Sequence, residues 1–168
     1  VVGTAMSNLG LELALDALDV PFTRTAVGDR YVMKELLERG WDLGGESSGH
    51  IICLDKTTTG DGIVSALQAL AAIVNSEQAL ADLKSKMNKF PQSMINVKLV
   101  TGIDISANEI VQTAVSDVES QLGKNGRVLL RASGTEPVVR VMVEGEDLEV
   151  VDKLANELSA VVASELGS

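Results

Sequence analysis

Cysteine, histidine and proline are scarce in this sequence of 168 residues, which contains one, one and three of them respectively. Because Cys53 is the only cysteine, no intramolecular disulfide can form, and its place in the apolar run IICL predicts a buried thiol. No apolar run approaches the roughly 20 residues that a membrane-spanning helix needs, and the first residues do not show a basic segment followed by a cleavage site. We therefore expect a cytoplasmic protein with no membrane partner.

Basic residues are also in the minority. The chain has 14 lysines and arginines against 24 aspartates and glutamates, which gives a formal net charge of -10. Such a surface argues against a general nucleic-acid partner and against binding to anionic membranes. An anionic ligand would therefore need a local cluster of basic groups.

An initiator methionine is absent, and the chain starts directly on VVGTAMSN, which is typical of a buried strand running into a turn. This start predicts a piece of a longer protein. The edge of the sheet would then lack its usual cover, so we expect it to permit homo-oligomerisation by strand pairing or exchange.

The first half of the sequence alternates helices and strands. LGLELALDALDV has helical spacing and precedes Pro21, and FTRTAV is typical of a strand. GDRYVMKELLERG offers Asp29 as the N-cap and Gly40 as the end of a second helix. Two short strands and the apolar helix IVSALQALAAIVNS follow. This alternation predicts part of an α/β domain over residues 1–75.

The second half has a different order of elements. A more polar helix, SEQALADLKSKMNKF, is predicted as a linker over residues 76–91 and ends at Pro91. The sequence then predicts a strand, an amphipathic helix that ends at Gly123, a pair of strands and a closing helix. The order β-α-β-β-α predicts a compact α+β domain over residues 92–168, with its helices on one face of a mostly antiparallel sheet.

The loop GGESSGH, residues 44–50, lies between two short apolar strands. It concentrates Glu46, Ser48 and His50, the only histidine, in a place where proteins often carry binding groups, although such loops also serve as plain connectors. From residue types alone, His50 is either a group near a reacting ligand or a structural histidine hydrogen-bonded at the start of a strand.

The loop RASGTEPVVR, residues 131–140, joins the paired strands of the second half. Ser133, Gly134 and Thr135 offer two hydroxyls and unhindered backbone N–H groups, and Arg131 and Arg140 flank the turn. In an acidic chain this is a local set of donors that suits a phosphate. The same residues also make an ordinary hairpin turn with solvated arginines.

Two further segments have polar groups whose role the residues leave open. TTTGDG contains one carboxylate, Asp61, which is too few for a magnesium site and predicts a helix start. Arg30 opens a helix, where a cation opposes the helix dipole, so it either faces a ligand or is solvated.

Four segments together carry a family resemblance: MSNLGLELAL, GDRYVMKELLERGWDLGGESSGHII, TTTGDGIVSALQ and GRVLLRASGTEPVVRVMVEG. They resemble the carboxy-terminal half of the bacterial phosphoglucosamine mutases, a family of the α-D-phosphohexomutase superfamily. The resemblance implies most of the superfamily's third domain, an α/β domain with a mixed sheet, followed by its fourth domain, which has a TATA-box-binding-protein-like α+β fold.

The resemblance also implies a function. Members interconvert glucosamine 6-phosphate and glucosamine 1-phosphate through a phosphoserine and a glucosamine 1,6-bisphosphate intermediate, with Mg²⁺ neutralising charge on the transferring group. The serine loop and the magnesium loop belong to the first and second domains, and neither motif occurs in this sequence. We therefore expect no metal site here and no activity from this chain alone.

The resemblance assigns roles to the two loops. Glu46 and Ser48 would hydrogen-bond hydroxyls of the sugar, and His50 would donate to phosphate or take part in proton transfer. Arg131, Ser133, Gly134, Thr135 and Arg140 would hold the phosphate of a hexosamine phosphate. It does not assign Arg24 or Arg30.

Two other interpretations stay open. A sister phosphohexomutase that acts on glucose or mannose phosphates would use the same recognition logic. A non-catalytic module that binds phosphorylated sugars would also have both loops.

Overall fold

The computed structural model describes residues 1–99, 105–133 and 136–167. The chain divides into two compact units, Val1–Lys89 and Phe90–Ser168. Within the described residues, no helix is long and apolar enough to cross a membrane.

The first unit is built on a four-stranded mixed sheet in the order β2-β1-β3-β4. Strands β1, β2 and β3 run parallel, and β4 is antiparallel to β3. The strands are β1 (Val2–Thr4), β2 (Thr23–Thr25), β3 (Leu43–Gly45) and β4 (Ile51–Cys53). Its helices are α1 (Leu9–Asp16), α2 (Asp29–Arg39), α3 (Gly62–Ser76) and α4 (Leu80–Ser85). The predicted α/β class with a mixed sheet is confirmed.

A small core joins helix α2 to the sheet. Val32 and Leu36 of α2 are fully buried against Val2 of β1 and Ile52 of β4. Gly44 of β3 lies so close to α2 that an added Cβ would meet Val32 Cγ1 at 2.6 Å and Leu36 Cδ1 at 3.0 Å. The start of the β3–β4 hairpin is therefore held firmly against α2. Cys53 is buried, as its apolar surroundings predicted.

Helix α2 starts one residue earlier than the sequence suggested. The prediction of Asp29 as the N-cap is wrong, because Gly28 holds that position with φ 136° and ψ 130°, and Asp29 is the first helical residue. The Asp29 carboxylate accepts from the N–H of Arg30, its direct neighbour, at 2.7 Å. At the other end, Gly40 caps the helix in the left-handed conformation, as predicted.

The predicted linker helix over residues 76–91 is much shorter in the structure. Helix α3 ends where Glu77 takes a left-handed conformation, and α4 covers only Leu80–Ser85. After α4 the backbone packs against α1, where an added Cβ on Gly10 would lie 1.9 Å from the Asn88 carbonyl oxygen. Residues 87–91 form neither helix nor strand.

The second unit has a three-stranded antiparallel sheet in the order β5-β7-β6. Its elements are β5 (Gln92–Lys98), α5 (Glu109–Leu122), β6 (Gly126–Ala132), β7 (Val138–Gly145) and α6 (Leu148–Leu166). Alternate residues of the strands pack with α5 and α6 into one core. Its buried members are Val97, Val111, Val118, Val139, Val141, Val143, Val151, Leu154, Ala155, Leu158, Val162 and Leu166. The predicted β-α-β-β-α order is confirmed.

Candidate functional site

The first candidate site is the loop Glu46–His50, which closes the β3–β4 hairpin. Gly45 pairs with Ile51 at the end of the two strands. The Glu46 N–H donates to the His50 carbonyl at 2.9 Å, and the Gly49 N–H donates to the Glu46 carbonyl at 3.1 Å. Gly49 has φ 99°, which favours glycine. The result is a tight five-residue loop that presents its side chains from a rigid base.

Glu46 is the one acidic residue of this loop, and only 9% of its side chain is accessible. Its Oε1 accepts a hydrogen bond from the backbone N–H of Gly28 at 2.8 Å. Its Oε2 lies 3.9 Å from His50 Nδ1. The carboxylate therefore connects the loop to the start of α2, a contact that the sequence did not reveal.

Ser48 and His50 lie on the exposed side of the same loop. The Ser48 hydroxyl and His50 Nδ1 are 3.3 Å apart, and 59% of the His50 side chain is accessible. His50 directly precedes β4 and has a hydrogen-bond partner, as expected of a structural histidine, yet its ring is open to a ligand. The fold thus brings Glu46, Ser48 and His50 together.

A cavity of about 350 Å³ lies next to this loop. Gly45, Glu46 and Ser47 line it on one side, and Asn8 and Lys89 are among the polar residues elsewhere on its wall. Ser48 and His50 do not line it. The cavity and the exposed side of the loop are therefore separate surfaces, and Glu46 lies between them.

Arg24, which the sequence left without a role, is fixed inside the first unit. Its guanidinium donates to Glu12 Oε2 at 2.7 and 3.1 Å and to the carbonyl oxygens of Thr4 and Ser7 at 3.1 and 2.5 Å. These contacts join β2 to the loop between β1 and α1. Arg24 is a structural residue of this unit.

Arg30, which the sequence left as either ligand-facing or solvated, is exposed. It lies over the ring of Tyr31, 4.6 Å from the ring centroid, and donates to the Tyr31 hydroxyl at 2.8 Å. Both side chains are exposed.

The second candidate site lies on the β6–β7 hairpin. Arg131 and Arg140 are directly opposite each other in the strand register, so their side chains share one face of the sheet. Among the described residues, the Nε atoms of these two arginines are buried and have no hydrogen-bond partner. Two like charges in direct opposition destabilise a strand pair, and a buried unpaired donor adds to that cost. An anion bound between the guanidinium groups would remove both penalties.

The turn of this hairpin is only partly described. The Ser133 N–H donates to the Val138 carbonyl at 2.8 Å, so it closes the hairpin instead of pointing towards an anion. Gly134 and Thr135, which were predicted to add donors, lie outside the described residues.

The face of the sheet that carries the two arginines holds further polar residues that sequence reasoning missed. Asn96 of β5 is directly opposite Arg140, which makes a row of three polar side chains across the sheet. Four positions further along β7 and on the same face of the sheet, Glu144 is fully buried. It accepts from Arg127 Nε at 2.6 Å and from Gln92 Nε2 at 2.8 Å. Only the strand register reveals these pairs.

The described residues do not fit a magnesium site. They contain no group of three histidine, cysteine, aspartate or glutamate side chains that could hold a metal ion. The Asp61 carboxylate accepts from the N–H groups of Ile63 and Val64 at 2.8 and 2.9 Å, so it caps α3, as the sequence predicted. No catalytic step can be assigned to a metal held by these groups.

Two family models match the chain. Residues 1–90 match domain III of phosphoglucomutase/phosphomannomutase, described as an alpha/beta/alpha domain, and residues 94–161 match the C-terminal domain of the same family. The chain belongs to the phosphoglucomutase/phosphomannomutase family. The phosphohexomutase resemblance and the predicted pair of domain folds are confirmed.

Curated relatives within this family are named phosphoglucosamine mutase. The chain is 57% identical to the one from Aeromonas hydrophila over 164 residues, and 58% identical to the one from Cellvibrio japonicus over 166 residues. These alignments cover 98% and 99% of this chain but 37% of each relative. The chain therefore spans little more than a third of the length of these relatives.

Solved structures of the family share the fold. Aspergillus fumigatus N-acetylphosphoglucosamine mutase in complex with glucose 1,6-bisphosphate matches with a TM-score of 0.81 at 20% identity, over 99% of this chain and 38% of that one. The same enzyme in complex with GlcNAc-6P and magnesium matches with a TM-score of 0.80 at 20% identity, over 97% and 39% of the two chains. At this identity the likeness shows the fold alone.

Proposed function

We propose that this chain supplies sugar and phosphate recognition in a phosphoglucosamine mutase, which interconverts glucosamine 6-phosphate and glucosamine 1-phosphate. The observation that carries this proposal is the opposed pair Arg131 and Arg140, whose buried Nε atoms lack partners among the described residues, in a chain of net charge -10. A bound anion would make that arrangement favourable, because it would pair with both guanidinium groups. The name shared by the relatives supports a hexosamine phosphate as the source of the anion.

In this proposal the two arginines hold the phosphate that is not being transferred. Each guanidinium can make charge-assisted hydrogen bonds to phosphate oxygens, and Ser133, Gly134 and Thr135 add hydroxyl or backbone donors. Holding this end of the substrate fixes the distance of the other end from the reacting group.

The loop Glu46–His50 would orient the sugar. A carboxylate accepts hydrogen bonds only, so the Glu46 oxygen that faces away from Gly28 suits a sugar hydroxyl, while the Ser48 hydroxyl can donate or accept. His50 would donate to a phosphate or carry a proton near neutral pH. A phosphoserine and Mg²⁺, which family resemblance assigns to other domains, would supply the phosphoryl group and neutralise its charge, with glucosamine 1,6-bisphosphate as intermediate.

Kinetics of a full-length mutase that carries this segment test the assignment of the loop. We expect Ser48→Ala to lower kcat/KM for glucosamine 6-phosphate by about tenfold, because one hydrogen bond to the sugar is lost. Ser47→Ala, a neighbouring exposed serine of the same loop, is the matched control and should change kcat/KM little. Equal effects of the two variants, or early melting with normal specific activity, would contradict a sugar-binding role.

The family model also names phosphoglucomutase and phosphomannomutase, so substrate choice needs its own measurement. We expect the full-length enzyme to turn over glucosamine 6-phosphate in clear preference to mannose 6-phosphate and glucose 6-phosphate. A preference for mannose 6-phosphate or glucose 6-phosphate would contradict the proposed substrate. It would still agree with the proposed phosphate site. Binding of sugar phosphates without turnover of any would indicate a recognition module.

A further inference from the structure

Gly28 has a backbone conformation that serves two elements at once. Its carbonyl accepts from the N–H groups of Tyr31 and Val32 at 2.9 and 3.3 Å, which starts helix α2. Its own N–H is not used by the helix and donates to Glu46 Oε1 at 2.8 Å. The residue therefore joins the N-terminus of α2 to the loop Glu46–His50, 18 positions further along the chain.

Only glycine fits this position well. With φ 136° and ψ 130°, Gly28 lies in a region that residues with a Cβ rarely adopt. An added Cβ would also meet Tyr31 Cδ2 at 3.2 Å. A rotation of φ to a negative value would turn the N–H away from Glu46, because φ sets the direction of that bond.

Glu46 depends on this contact. Its side chain is 9% exposed, and the N–H of Gly28 is the hydrogen-bond donor that the structure gives its carboxylate among the described residues. A carboxylate buried to this degree needs such a donor, and the N-terminus of a helix is a favourable place for negative charge. With Oε1 held, Oε2 faces His50 Nδ1 at 3.9 Å, and His50 Nδ1 lies 3.3 Å from the Ser48 hydroxyl.

We propose that Gly28 is a positioning residue for the loop Glu46–His50, whose N–H fixes the Glu46 carboxylate and thereby the orientation of the groups offered to a hexosamine phosphate. The inference rests on the proposed function for the identity of the ligand. The tight packing of Gly44 against Val32 and Leu36 of α2 supports it, since the two ends of the contact are held in place before any ligand binds. The fold itself therefore fixes the orientation of the Glu46 carboxylate.

Amide hydrogen exchange of a full-length mutase that carries this segment tests the contact without any activity measurement. We expect the Gly28 amide to exchange about tenfold faster in Glu46→Ala, which is the effect of losing one hydrogen bond. Glu46→Gln keeps an oxygen that can accept from Gly28 and should stay near the wild-type rate. The amide of Leu36, buried in α2, is the internal reference for a folded unit. An unchanged Gly28 rate in Glu46→Ala, with Leu36 still protected, would overturn the proposal.

Kinetics of the full-length mutase test the positioning role. Gly28→Ala is compared with Gly40→Ala, because Gly40 caps the other end of α2 with φ 66° and has nothing within 4 Å of an added Cβ. Both variants place an alanine at a positive φ, but of the two glycines Gly28 is the one that donates to Glu46 of the loop. We expect Gly28→Ala to lower kcat/KM by at least about tenfold more than Gly40→Ala, with most of the loss in kcat, because the sugar is misoriented rather than merely bound less tightly.

The outcomes separate the two proposals. Equal kinetic losses in Gly28→Ala and Gly40→Ala, in an enzyme whose wild type turns over glucosamine 6-phosphate, would overturn the positioning role and leave the proposed function standing. A wild-type enzyme inactive on every hexose and hexosamine phosphate would overturn the proposed function and the ligand named here, while the exchange rates would still decide whether Gly28 holds Glu46.

Discussion

Arg131 and Arg140 differ from the other arginines of the chain in what surrounds their guanidinium groups. Arg24, Arg39 and Arg127 each form an ion pair with a glutamate, at 2.7, 2.5 and 2.6 Å. Arg131 and Arg140 instead face each other, with buried Nε atoms that lack a partner in the part of the chain that the structure describes. This difference makes the pair the strongest candidate for contact with an anionic ligand.

Replacing Arg140 by alanine in the full-length enzyme should weaken substrate binding through the phosphate that is not being transferred. A charge-assisted hydrogen bond contributes about 1.5 to 3 kcal/mol, so we expect KM to rise by about ten- to a hundredfold. Arg39→Ala, which removes the same charge from an exposed ion pair, is the control and should leave KM unchanged. Unchanged KM and kcat in Arg140→Ala would refute the assignment.

At the scale of elements, strand β7 organises the second unit because it lies between β5 and β6. One of its faces supplies Val139, Val141 and Val143 to the core with α5 and α6. The other carries Arg140, Met142 and Glu144. Glu144 connects all three strands, because it accepts from Arg127 of β6 and Gln92 of β5.

Removing Arg127 should destabilise this sheet strongly. Glu144 is fully buried, so Arg127→Met leaves its charge without the guanidinium, and breaking a buried ion pair in this way costs about 3 to 5 kcal/mol. Urea unfolding of the chain, followed by circular dichroism, measures the loss. Lys153→Met breaks an exposed pair with Glu157 on α6 and should cost less than about 1 kcal/mol. Similar small losses in both variants would mean that the buried pair contributes little.

At the scale of the whole molecule, the described residues form two separate hydrophobic cores of unequal size. The core of the first unit centres on Val2, Val32, Leu36 and Ile52, whereas the second unit buries a larger apolar set between its sheet and two helices. Helix α3 of the first unit has no buried residue and exposes Ile63, Leu67, Leu70 and Val74 on one stripe. Because burial of apolar surface drives folding, the second unit should be the more stable of the two.

The 168-residue chain by itself should fold at least in its second unit, bind sugar phosphates weakly if at all, and catalyse no conversion of glucosamine 6-phosphate. It spans 37% of its curated relatives, and among its described residues no carboxylate cluster could hold magnesium. The Ser133 N–H closes the hairpin between the two arginine-bearing strands. Magnesium-dependent formation of glucosamine 1-phosphate, at a rate proportional to the concentration of the purified chain, would contradict this expectation.

Local patterns in the sequence determined most of the elements. Helical spacing of apolar residues, Gly40 and Gly123 as helix ends, and alternating apolar residues in GRVLLRA and VVRVMVEG identified the helices and strands, because these signals act over a few neighbouring residues. The motifs GGESSGH and RASGTEP likewise indicated the family, and the two domain matches confirm it. The sequence alone therefore predicts the order of the elements and the family.

Contacts between distant residues were decided only by the tertiary structure. The bond from Gly28 to Glu46, the direct opposition of Arg131 and Arg140, and the burial of Glu144 between Arg127 and Gln92 all depend on strand register and helix packing. The helix boundaries at Gly28 and after Ser85 likewise differ from those that the sequence predicted. These contacts join residues that are far apart in the sequence. A local pattern depends only on neighbouring residues, so it does not predict which distant residue will pack against it.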